Sequence, residues 1–518
     1  MAKTKKRKQS DQAGLFNLTG VGENVDDSLE GLLAEMDGTS GATSATSGAD
    51  TTTTVEQVKT PDAYVESNGD VQPWDLSSDV IAIKNKDQVS AWNNALRHWT
   101  KTGKYSDALL PNFDVELARH FQVEKISTFL LKSAEDLKMP TFERWIIDSK
   151  LEEEKASDPV LPNADTTTDA SQRLLTELAE KLDPIQAEQV LQDVCLQTSS
   201  AMQELAVLHR RTATKCPLRK GDRIDVEDRN DDMMALLYRR KTWKKPYCIK
   251  LNVSHYNKLK SMFEGVHGEI SSKAMHAFNL VVMCLLLRYS SLSGGQLLND
   301  LRGGGMQGAI HPHVFSSLTR IFGMPCVEAF ASPLNAYYPQ FGSAFADLDW
   351  HFGSVGDFFD QRLTEEGCFE ANPPFSPGLM MKMATEMQNR LMRADKKRLS
   401  LTFVVVVPSA ASKTSLVAKD FCTQSFEVLS KLSSKHVLLK SREHGYVEGA
   451  QHLKPTRYKE SPYDTSVFVL QSKESMKVTN LAPLEESLRI AFSSQHEDEL
   501  QKRKEKKPAS SKKWKKTE

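Results

Sequence analysis

A run from Leu401 to Val407, which is apolar except for Thr402 and ends in four consecutive valines, most restricts the folds open to this 518-residue chain. β-Branched side chains favour strands, and a strand without polar alternation is typical of a position buried on both faces of a sheet. A helix is predicted over Leu379 to Leu391, where methionines on one face indicate core packing rather than a cofactor site. Further strands are predicted at Cys326 to Phe330, Gly367 to Ala371, His436 to Lys440 and Ser466 to Leu470. This alternation predicts an α/β fold with a doubly wound, Rossmann-like sheet, in which ligands bind at the carboxyl ends of the strands.

Composition divides the rest of the chain into regions. Residues 1–70 are basic at the start and then rich in Gly, Ser and Thr, so we expect them to be disordered because they bury too little apolar surface. Residues 74–212 carry the apolar spacing of helices, and residues 213–320 are predicted to be a helical, RNA-contacting segment that leads into the core. The core itself is assigned to residues 321–480, and residues 497–518 form a basic disordered tail.

The formal net charge of −1 conceals an uneven layout. Five basic residues lie between Lys3 and Lys8, and nine lie between Lys502 and Lys516, which leaves an acidic body between them. Basic ends of this kind are typical of nuclear-import signals or of arms that contact phosphate backbones, and solvated disordered ends are the alternative interpretation. They predict a nuclear protein, with a cytoplasmic pool as the alternative.

Several classes of protein are not expected. The apolar run from Leu280 to Leu287 is too short to span a bilayer, and no apolar stretch follows Met1, so we expect no membrane association. The seven cysteines form no closely spaced pair and the histidines have no metal-ligand spacing, so neither a disulfide framework nor a metal site is predicted. The glycine-rich stretch from Gly303 to Gly308 lacks the residues of a phosphate-binding loop and is predicted to be a flexible loop, with a lid over a ligand as the alternative.

Basic and aromatic residues alternate near Trp243, where Arg239 and Arg240 precede the ring. Cations that meet phosphates beside rings that stack on bases suit RNA, so these three residues are candidate substrate contacts. A solvated helix end that packs on one tryptophan explains the pattern equally well.

The motif Asn372-Pro373-Pro374-Phe375 follows directly after the strand that ends at Ala371. Two prolines fix the backbone and remove two N–H donors, so we expect both carbonyls to lack a local partner. The oxygens of Asn372 and Pro373 could then accept both hydrogens of an exocyclic amine, while the ring of Phe375 stacks on the base. An amine held in this way points its lone pair outward, ready for in-line attack on an electrophilic methyl group. The alternative is a proline-rich tight turn.

The motif is the signature of S-adenosylmethionine-dependent amino-methyltransferases. Its surroundings resemble the phosphorylated CTD-interacting factor family from about Met233 to Gln471, through the segments Val327 to Asn335, Ala344-Phe345, Phe352 to Ser354, Phe369 to Ala371, Glu443-His444 with Tyr446, Gln451-His452 and Thr465 to Leu470. Members of that family methylate N6 of the first transcribed 2′-O-methyladenosine beside the 7-methylguanosine cap of mRNA. The resemblance therefore implies capped mRNA that begins with adenosine as the substrate and S-adenosylmethionine as the cofactor.

The resemblance also implies roles for individual residues. The cofactor loop would comprise Glu328, Phe330, Ala331, Ser332, Pro333, Leu334 and Asn335. Asp349, or Asp347 beside it, would hold the ribose hydroxyls, with solvated loop carboxylates as the alternative. Asn372 to Phe375 would hold the adenine. Beyond a later strand end, the RNA side of the pocket would be lined by Arg442, His444 and Tyr446, with His444 as an ordinary surface histidine by default.

Two alternatives stay open at this point. One is an N6-adenine methyltransferase that acts on internal RNA or on DNA, since the motif reads the amine and not its neighbours. The other is a catalytically silent RNA-binding scaffold on the same fold. The chain also lacks the Trp and Tyr-Tyr pattern of a WW module, because Trp74, Trp92, Trp99 and Trp145 lie in helical contexts, which argues against direct docking on the polymerase tail.

Overall fold

The structure is a computed structural model that describes residues 110–135, 137–153, 158–212, 221–230, 232–271, 274–298, 305–359, 365–410, 423–449, 452–453 and 458–493. All of them belong to the compact unit Val58–Glu518, and the second unit of the chain, Met1–Gln57, lies outside the described residues. The predictions for both ends of the chain, for Trp74, Trp92 and Trp99, and for Gly303 and Gly304 of the glycine-rich stretch therefore also lie outside them.

Helices form the described part of the amino-terminal region, as predicted. They are α1 (Phe113–Ser133), α2 (Met139–Leu151), α3 (Asp169–Ala179) and α4 (Pro184–Thr212). Polar side chains define where two of them begin: Asn112 accepts from the first N–H groups of α1, and Thr168 accepts from the Ser171 N–H in α3. Trp145 lies buried in α2, so its predicted helical context is confirmed.

A small antiparallel sheet follows, and the prediction of a helical segment is wrong here. Its strands, in the order β1-β2-β3, are β1 (Arg223–Asn230), β2 (Met233–Arg239) and β3 (Tyr247–Asn252). In β1 the charged residues Arg223, Asp225 and Glu227 alternate with Ile224 and Val226, which is the two-residue period of a strand rather than the period of a helix.

Two helices lead from this sheet toward the core: α5 (Val253–His267) and α6 (Met275–Leu292). The residues of α6 from Ala277 to Ser291 are all buried. Among the described residues, α6 is long and apolar enough to cross a membrane, but most of it is enclosed by the protein.

The largest sheet has five strands in the order β4-β7-β8-β12-β9, and it confirms the α/β class. Strands β4, β7 and β8 are parallel, whereas β12 is antiparallel to both of its neighbours. The remaining elements, in chain order, are α7 (Pro312–Phe322), β4 (Cys326–Glu328), β5 (Phe341–Gly342), α8 (Ala346–Asp349), β6 (Ser354–Gly356), β7 (Gly367–Ala371), α9 (Pro377–Lys397), β8 (Leu401–Pro408), α10 (Thr423–Leu432), β9 (Ser433–Leu439), β10 (Gly445–Val447), β11 (Tyr458–Glu460), β12 (Thr465–Gln471), α11 (Lys473–Val478) and α12 (residues 484–493).

The row of strands continues beyond β4 through a single bridge. The Ala331 N–H donates to the Gly342 carbonyl at 2.8 Å, and the bridge between Ala331 and Ser343 is parallel. Strand β5 then pairs with β6, also in parallel. From β4 the chain therefore runs to β5 and β6 on one side of that strand and then returns to β7 on its other side. Because β4 and β7 are parallel neighbours, their carboxyl ends lie at the same edge of the sheet.

Alternate residues of β8 supply two separate cores, one on each face of the sheet. Phe403, Val405 and Val407 pack with α9 and α10, while Val404 and Val406 face α7 and α12. All eight residues of β8 are buried, as the apolar run predicts. Met380, Met383 and Met387 of α9 pack in the first core, which confirms their interpretation as core residues.

Two methionines of α9 test this packing. Met387 is fully buried, whereas Met392 is 50% exposed on the same helix. We expect Met387→Ala to lower the free energy of unfolding by about 2–5 kcal/mol, because the cavity it leaves cannot collapse fully. Met392→Ala should change that free energy by less than about 0.5 kcal/mol. Urea unfolding followed by circular dichroism measures both, and equal effects would contradict the assignment of the helix faces.

Candidate functional site

A cavity of about 150 Å³ opens where β7 ends. Its lining comes from three parts of the chain that are distant in sequence: Met306 and Gly308 before α7, Asn372 to Phe375 after β7, and the hairpin of β10 and β11 with the turn that follows it. The motif that the sequence singled out therefore lies in a cavity, at a carboxyl end of the sheet.

The acceptors of the motif are partly as predicted. The Asn372 Nδ2 donates to the Gly308 carbonyl at 3.2 Å, and this bond turns its Oδ1 away from Gly308. The expectation that both proline carbonyls lack a local partner is wrong, because the carbonyl of Pro374 accepts from the Ser376 N–H at 2.9 Å. Within the described part of the chain no donor reaches Asn372 Oδ1 or the Pro373 carbonyl, so two acceptors remain.

Two aromatic rings stand at the cavity. Phe375 is half-buried, and its ring lies 6.5 Å from that of Tyr463 at an interplanar angle of 84°. Phe375 was predicted from the sequence, whereas Tyr463 was missed, although Pro462-Tyr463 shortly before a strand was a visible turn signal. The two rings offer apolar surface to the face of one flat ligand, and the two acceptors offer hydrogen bonds to its polar edge.

Residues 446–449 and 459–463 line the other side of the cavity, and most of them were also missed. They belong to β10, β11 and the adjoining turns, which place Glu448, Lys459 and Glu460 at the lining. Tyr446, which the resemblance assigned to the pocket, does lie there. Arg442 does not line the cavity: it is exposed, and its backbone adopts a left-handed φ of 67°.

A chain of hydrogen bonds orients Tyr446, and its direction follows from chemistry. A carbonyl can only accept, so the 2.7 Å bond to the Lys440 carbonyl places the proton of a neutral His444 on Nδ1. His444 Nε2 then accepts from Thr465 Oγ1 at 2.7 Å, and Thr465 Oγ1 accepts from the Tyr446 hydroxyl at 2.6 Å. The Tyr446 hydroxyl therefore donates its only proton within the protein, to Thr465 Oγ1.

The prediction for His444 is wrong in two respects. The residue is buried rather than on the surface, and it does not line the cavity. Burial lowers the pKa of its imidazole, which keeps the ring neutral. Because both ring nitrogens are engaged, His444 supports Tyr446 instead of contacting a ligand.

The proposed RNA contacts near Trp243 are largely neutralised within the protein. Arg240 is buried, forms ion pairs with Asp114 and Asp222, and packs over the half-buried ring of Trp243 at 4.7 Å. Arg239 pairs with Asp225 at 2.6 Å and reaches a second carboxylate in the same sheet. A role for Arg240 in substrate binding is contradicted by this burial, and the interpretation as packing on one tryptophan fits better.

The predicted cofactor loop is a closed turn at the end of β4. Ser332 N–H donates to Asn335 Oδ1 at 2.7 Å, and Ser332 Oγ donates to Gln307 Oε1 at 2.7 Å. Asn335 Nδ2 donates to the Gln307 carbonyl at 3.2 Å. These bonds bring the loop against the segment that carries Gly308, on which Asn372 also depends. The loop and the motif are therefore neighbours, and the cofactor role of the loop stays a prediction.

The loop residues differ in exposure. Those that are buried are Glu328, Ser332, Pro333 and Leu334. Those that remain partly exposed are Phe330, Ala331 and Asn335, and the ring of Phe330 packs 4.9 Å from that of Phe358. Only the second group presents partly exposed surface to a ligand.

Glu328 shapes the loop from within. Its Oε2 accepts from the N–H groups of Tyr337 at 2.7 Å and Tyr338 at 3.0 Å. Burial raises the pKa of Glu328 to about 7, and burial also lowers the pKa of Lys258 nearby to about 8. Glu370 lies opposite Glu328 on β7, and burial raises its pKa well above the ordinary value.

The assignment of Asp349 to the cofactor ribose is contradicted. Its carboxyl is fully buried and accepts from the Tyr289 hydroxyl at 2.6 Å, so it presents no exposed oxygen to a ribose. Burial raises the pKa of Asp349 to about 7. Asp347, the other candidate, has an exposed side chain that pairs with Arg288 at 3.1 Å. Within the described ranges, no three His, Cys, Asp or Glu side chains are grouped as a metal site would need.

Comparison with known proteins finds a family model and two relatives that match part of the chain. Residues 258–449 match the model of the phosphorylated CTD interacting factor 1 WW domain, and this segment contains both the loop and the motif. Over 226 residues the chain is 34% identical to mRNA (2′-O-methyladenosine-N(6)-)-methyltransferase of Homo sapiens. It is 33% identical over the same length to the Mus musculus protein of that name. These residues are 43% of this chain, and the chain spans 30% of the length of each relative.

The expectation that the chain lacks the family's WW region is wrong, because the matching family model carries that description. The error has a structural origin. The expected pattern was a short set of strands with paired tryptophan and tyrosines, whereas the matched residues run from α5 to the turn after β10 and include β4, β7, β8 and β9. The argument against docking on the polymerase tail therefore has no support.

Asp349 makes a prediction about pH. A carboxyl whose pKa is raised in the folded state contributes stability that is complete below its unfolded pKa and is lost as the pH rises through about 7. Relative to Asp349→Asn, the wild-type free energy of unfolding should fall by up to about 1.4 kcal/mol per pH unit between about pH 4 and pH 7, and then level off. Urea unfolding of both proteins across this range measures the difference. A difference independent of pH would show that Asp349 ionises normally.

Proposed function

We propose that this chain, which belongs through residues 258–449 to the phosphorylated CTD-interacting factor family, is an S-adenosylmethionine-dependent methyltransferase that modifies N6 of the first transcribed adenosine beside the mRNA cap. The observation that carries the proposal is the pair of acceptors, Asn372 Oδ1 and the Pro373 carbonyl, beside two rings in one cavity. The names of the two relatives supply the substrate, an mRNA that carries 2′-O-methyladenosine.

The two acceptors select an amino group. Each oxygen takes one N–H of the exocyclic amine, which leaves the nitrogen lone pair perpendicular to the base and open to the cavity. A keto group at the same position would place oxygen against oxygen, so the site rejects bases without the amine. Phe375 and Tyr463 hold the ring in place, and most of the rate enhancement comes from this positioning.

We place the proposed cofactor at the edge of the sheet where β4 and β7 end. The loop after β4 keeps Phe330, Ala331 and Asn335 partly exposed, and Glu370 on β7 carries a buried Oε1 without a partner among the described residues. An orphaned carboxyl oxygen suits a ligand that carries hydrogen-bond donors. When bound, S-adenosylmethionine supplies a methyl group on a sulfonium, which leaves as the neutral thioether once the amine nitrogen bonds to the carbon.

The chain needs no strong base for this step. The attacking amine becomes cationic and then loses its proton to water, so the protein has only to accept the N–H bonds more strongly as charge develops. His444 supplies no base at the cavity, since its two nitrogens are bonded elsewhere. Tyr446, whose proton is directed to Thr465, offers one more acceptor at the cavity wall.

The proposal has three further parts. We propose that the sheet is a doubly wound, Rossmann-like core, because β5 and β6 continue the row on the far side of β4. We also include the polymerase tail among the partners, on the family's description. Nuclear localisation rests on the basic residues at both ends of the sequence.

Asn372 provides the test of the amine clamp. Asn372→Ala removes one acceptor and the bond to Gly308, so we expect methyl transfer to fall by at least about 100-fold. Asn480→Ala, at an exposed asparagine that caps a turn far along the chain, is the matched control and should retain activity. Transfer of labelled methyl groups to capped RNA that begins with adenosine measures both variants.

The same assay separates the alternatives. Uncapped RNA and DNA of the same sequence should accept at most a small fraction of the label, and mass spectrometry of the digested nucleosides should place the methyl group on N6. Equal labelling of the uncapped substrates would favour an enzyme for internal adenines. A wild-type protein that neither binds S-adenosylmethionine nor transfers a methyl group would support the silent scaffold, and an active Asn372→Ala would refute the clamp.

A further inference from the structure

We propose that Asp148 is a positioning residue for the Asn372 to Phe375 corner, through which the amino-terminal helices hold the site in shape. The inference rests on the proposed function, and it concerns a residue outside the segment 258–449 that the family model matches. Asp148 lies in α2 and is only 2% exposed. Its carboxylate caps α9, the helix that starts directly after the motif.

The contacts are specific to the first turn of α9. The N–H of Gly378 donates to Asp148 Oδ2 at 3.0 Å, and the N–H of Leu379 donates to Asp148 Oδ1 at 3.1 Å. The hydroxyl of Ser376 also donates to Oδ1. One carboxylate therefore accepts two of the N–H groups that a helix leaves unpaired at its start, and its negative charge suits that end of the helix.

The helix has no adequate cap of its own. Ser376 occupies the capping position, but its side chain makes no capping bond because its hydroxyl is turned to Asp148. Pro377, the next residue, has no N–H to donate. The start of α9 thus depends on a carboxylate that approaches from 228 residues earlier in the chain.

The fit around Asp148 is close on both sides. A Cβ added to Gly378 would lie 2.7 Å from Asp148 Oδ1, so only glycine allows the approach. On its other side, Arg173 of α3 donates to Asp148 Oδ2 at 3.1 Å and fixes the orientation of the carboxylate. This bond ties the cap to a second helix of the amino-terminal region.

The cap reaches the motif through adjacent backbone bonds. Ser376 donates its N–H to the Pro374 carbonyl at 2.9 Å, and its own carbonyl accepts from the Met380 N–H at 2.9 Å. A shift of Ser376 therefore moves Pro374 and Phe375 with it, while the cofactor loop after β4 is held by separate bonds to Gln307. Loss of the cap should impair the use of the amine and spare the binding of the cofactor.

The experiment begins with Asp148→Ala. We expect kcat for methyl transfer to capped RNA to fall on the order of 100-fold, because displacement of reacting groups by about 1 Å has that effect. The dissociation constant for S-adenosylmethionine, measured by isothermal titration, should change less than about threefold. Asp183→Ala is the matched control: it removes a carboxylate that accepts from Ile185 and Gln186 at the start of α4, and it should leave kcat unchanged. Asp148→Asn, which keeps the side-chain volume, replaces Asp148→Ala if that variant does not fold.

A second substitution distinguishes positioning from general stability. Ser376→Asp places a carboxylate at the capping position of α9 itself, where aspartate is a preferred residue. In the Asp148→Ala background it should restore kcat to within about tenfold of wild type. In the wild-type background it should lower kcat, because two carboxylates would then share one cap. Failure of the rescue, or unchanged kcat in Asp148→Ala, would overturn the proposal.

Hydrogen exchange keeps this outcome separate from that of the proposed function. The amides of Gly378 and Leu379 should exchange at least about tenfold faster in Asp148→Ala, and Ser376→Asp should restore their protection whether or not the protein methylates RNA. Unchanged exchange at these two amides would refute the cap. A wild-type protein that does not bind S-adenosylmethionine would refute the proposed function and leave the exchange result to decide on the cap.

Discussion

A backbone corner with two prolines, fixed at both ends, is the constraint on which the candidate site depends. Ala371 ends β7 inside the buried core, and Ser376 begins α9 with its N–H on the Pro374 carbonyl. Between them the proline rings remove most of the rotational freedom of the backbone. The oxygens of Asn372 and Pro373 are therefore placed during folding, and a ligand does not have to order them when it binds.

Buried titratable groups near this corner favour their uncharged forms, which suits a neutral nucleophile. Burial raises the pKa values of Glu328 and Glu370 and lowers that of His444, so each of the three is shifted toward its uncharged form. Oriented dipoles remain: the Asn372 amide, the Pro373 carbonyl and the directed Tyr446 hydroxyl. Such dipoles stabilise a charge that appears on the attacking nitrogen without the cost of moving solvent.

Local sequence pattern was enough for the central strands and for the motif, since β7, β8 and the buried face of α9 are encoded by short-range apolar spacing. It failed where contacts are distant in sequence. The strands β10 and β11 have three residues each and gain their places from tertiary packing, so Tyr463 was missed. Asp148 contacts the start of α9, although the two are 228 residues apart in sequence. Asp349 resembled a loop carboxylate because its partner, the hydroxyl of Tyr289, is distant in sequence.

The selection of an exocyclic amine by Asn372 and Pro373 is the central claim, and a pair of ligands that differ only in that group tests it most directly. Isothermal titration would compare capped dinucleotides that end in adenosine or in inosine, whose base has a carbonyl oxygen in place of the amine. The account predicts that the adenosine ligand binds at least about 100-fold more tightly, because the two acceptors would face an oxygen in inosine. Equal affinities would contradict it.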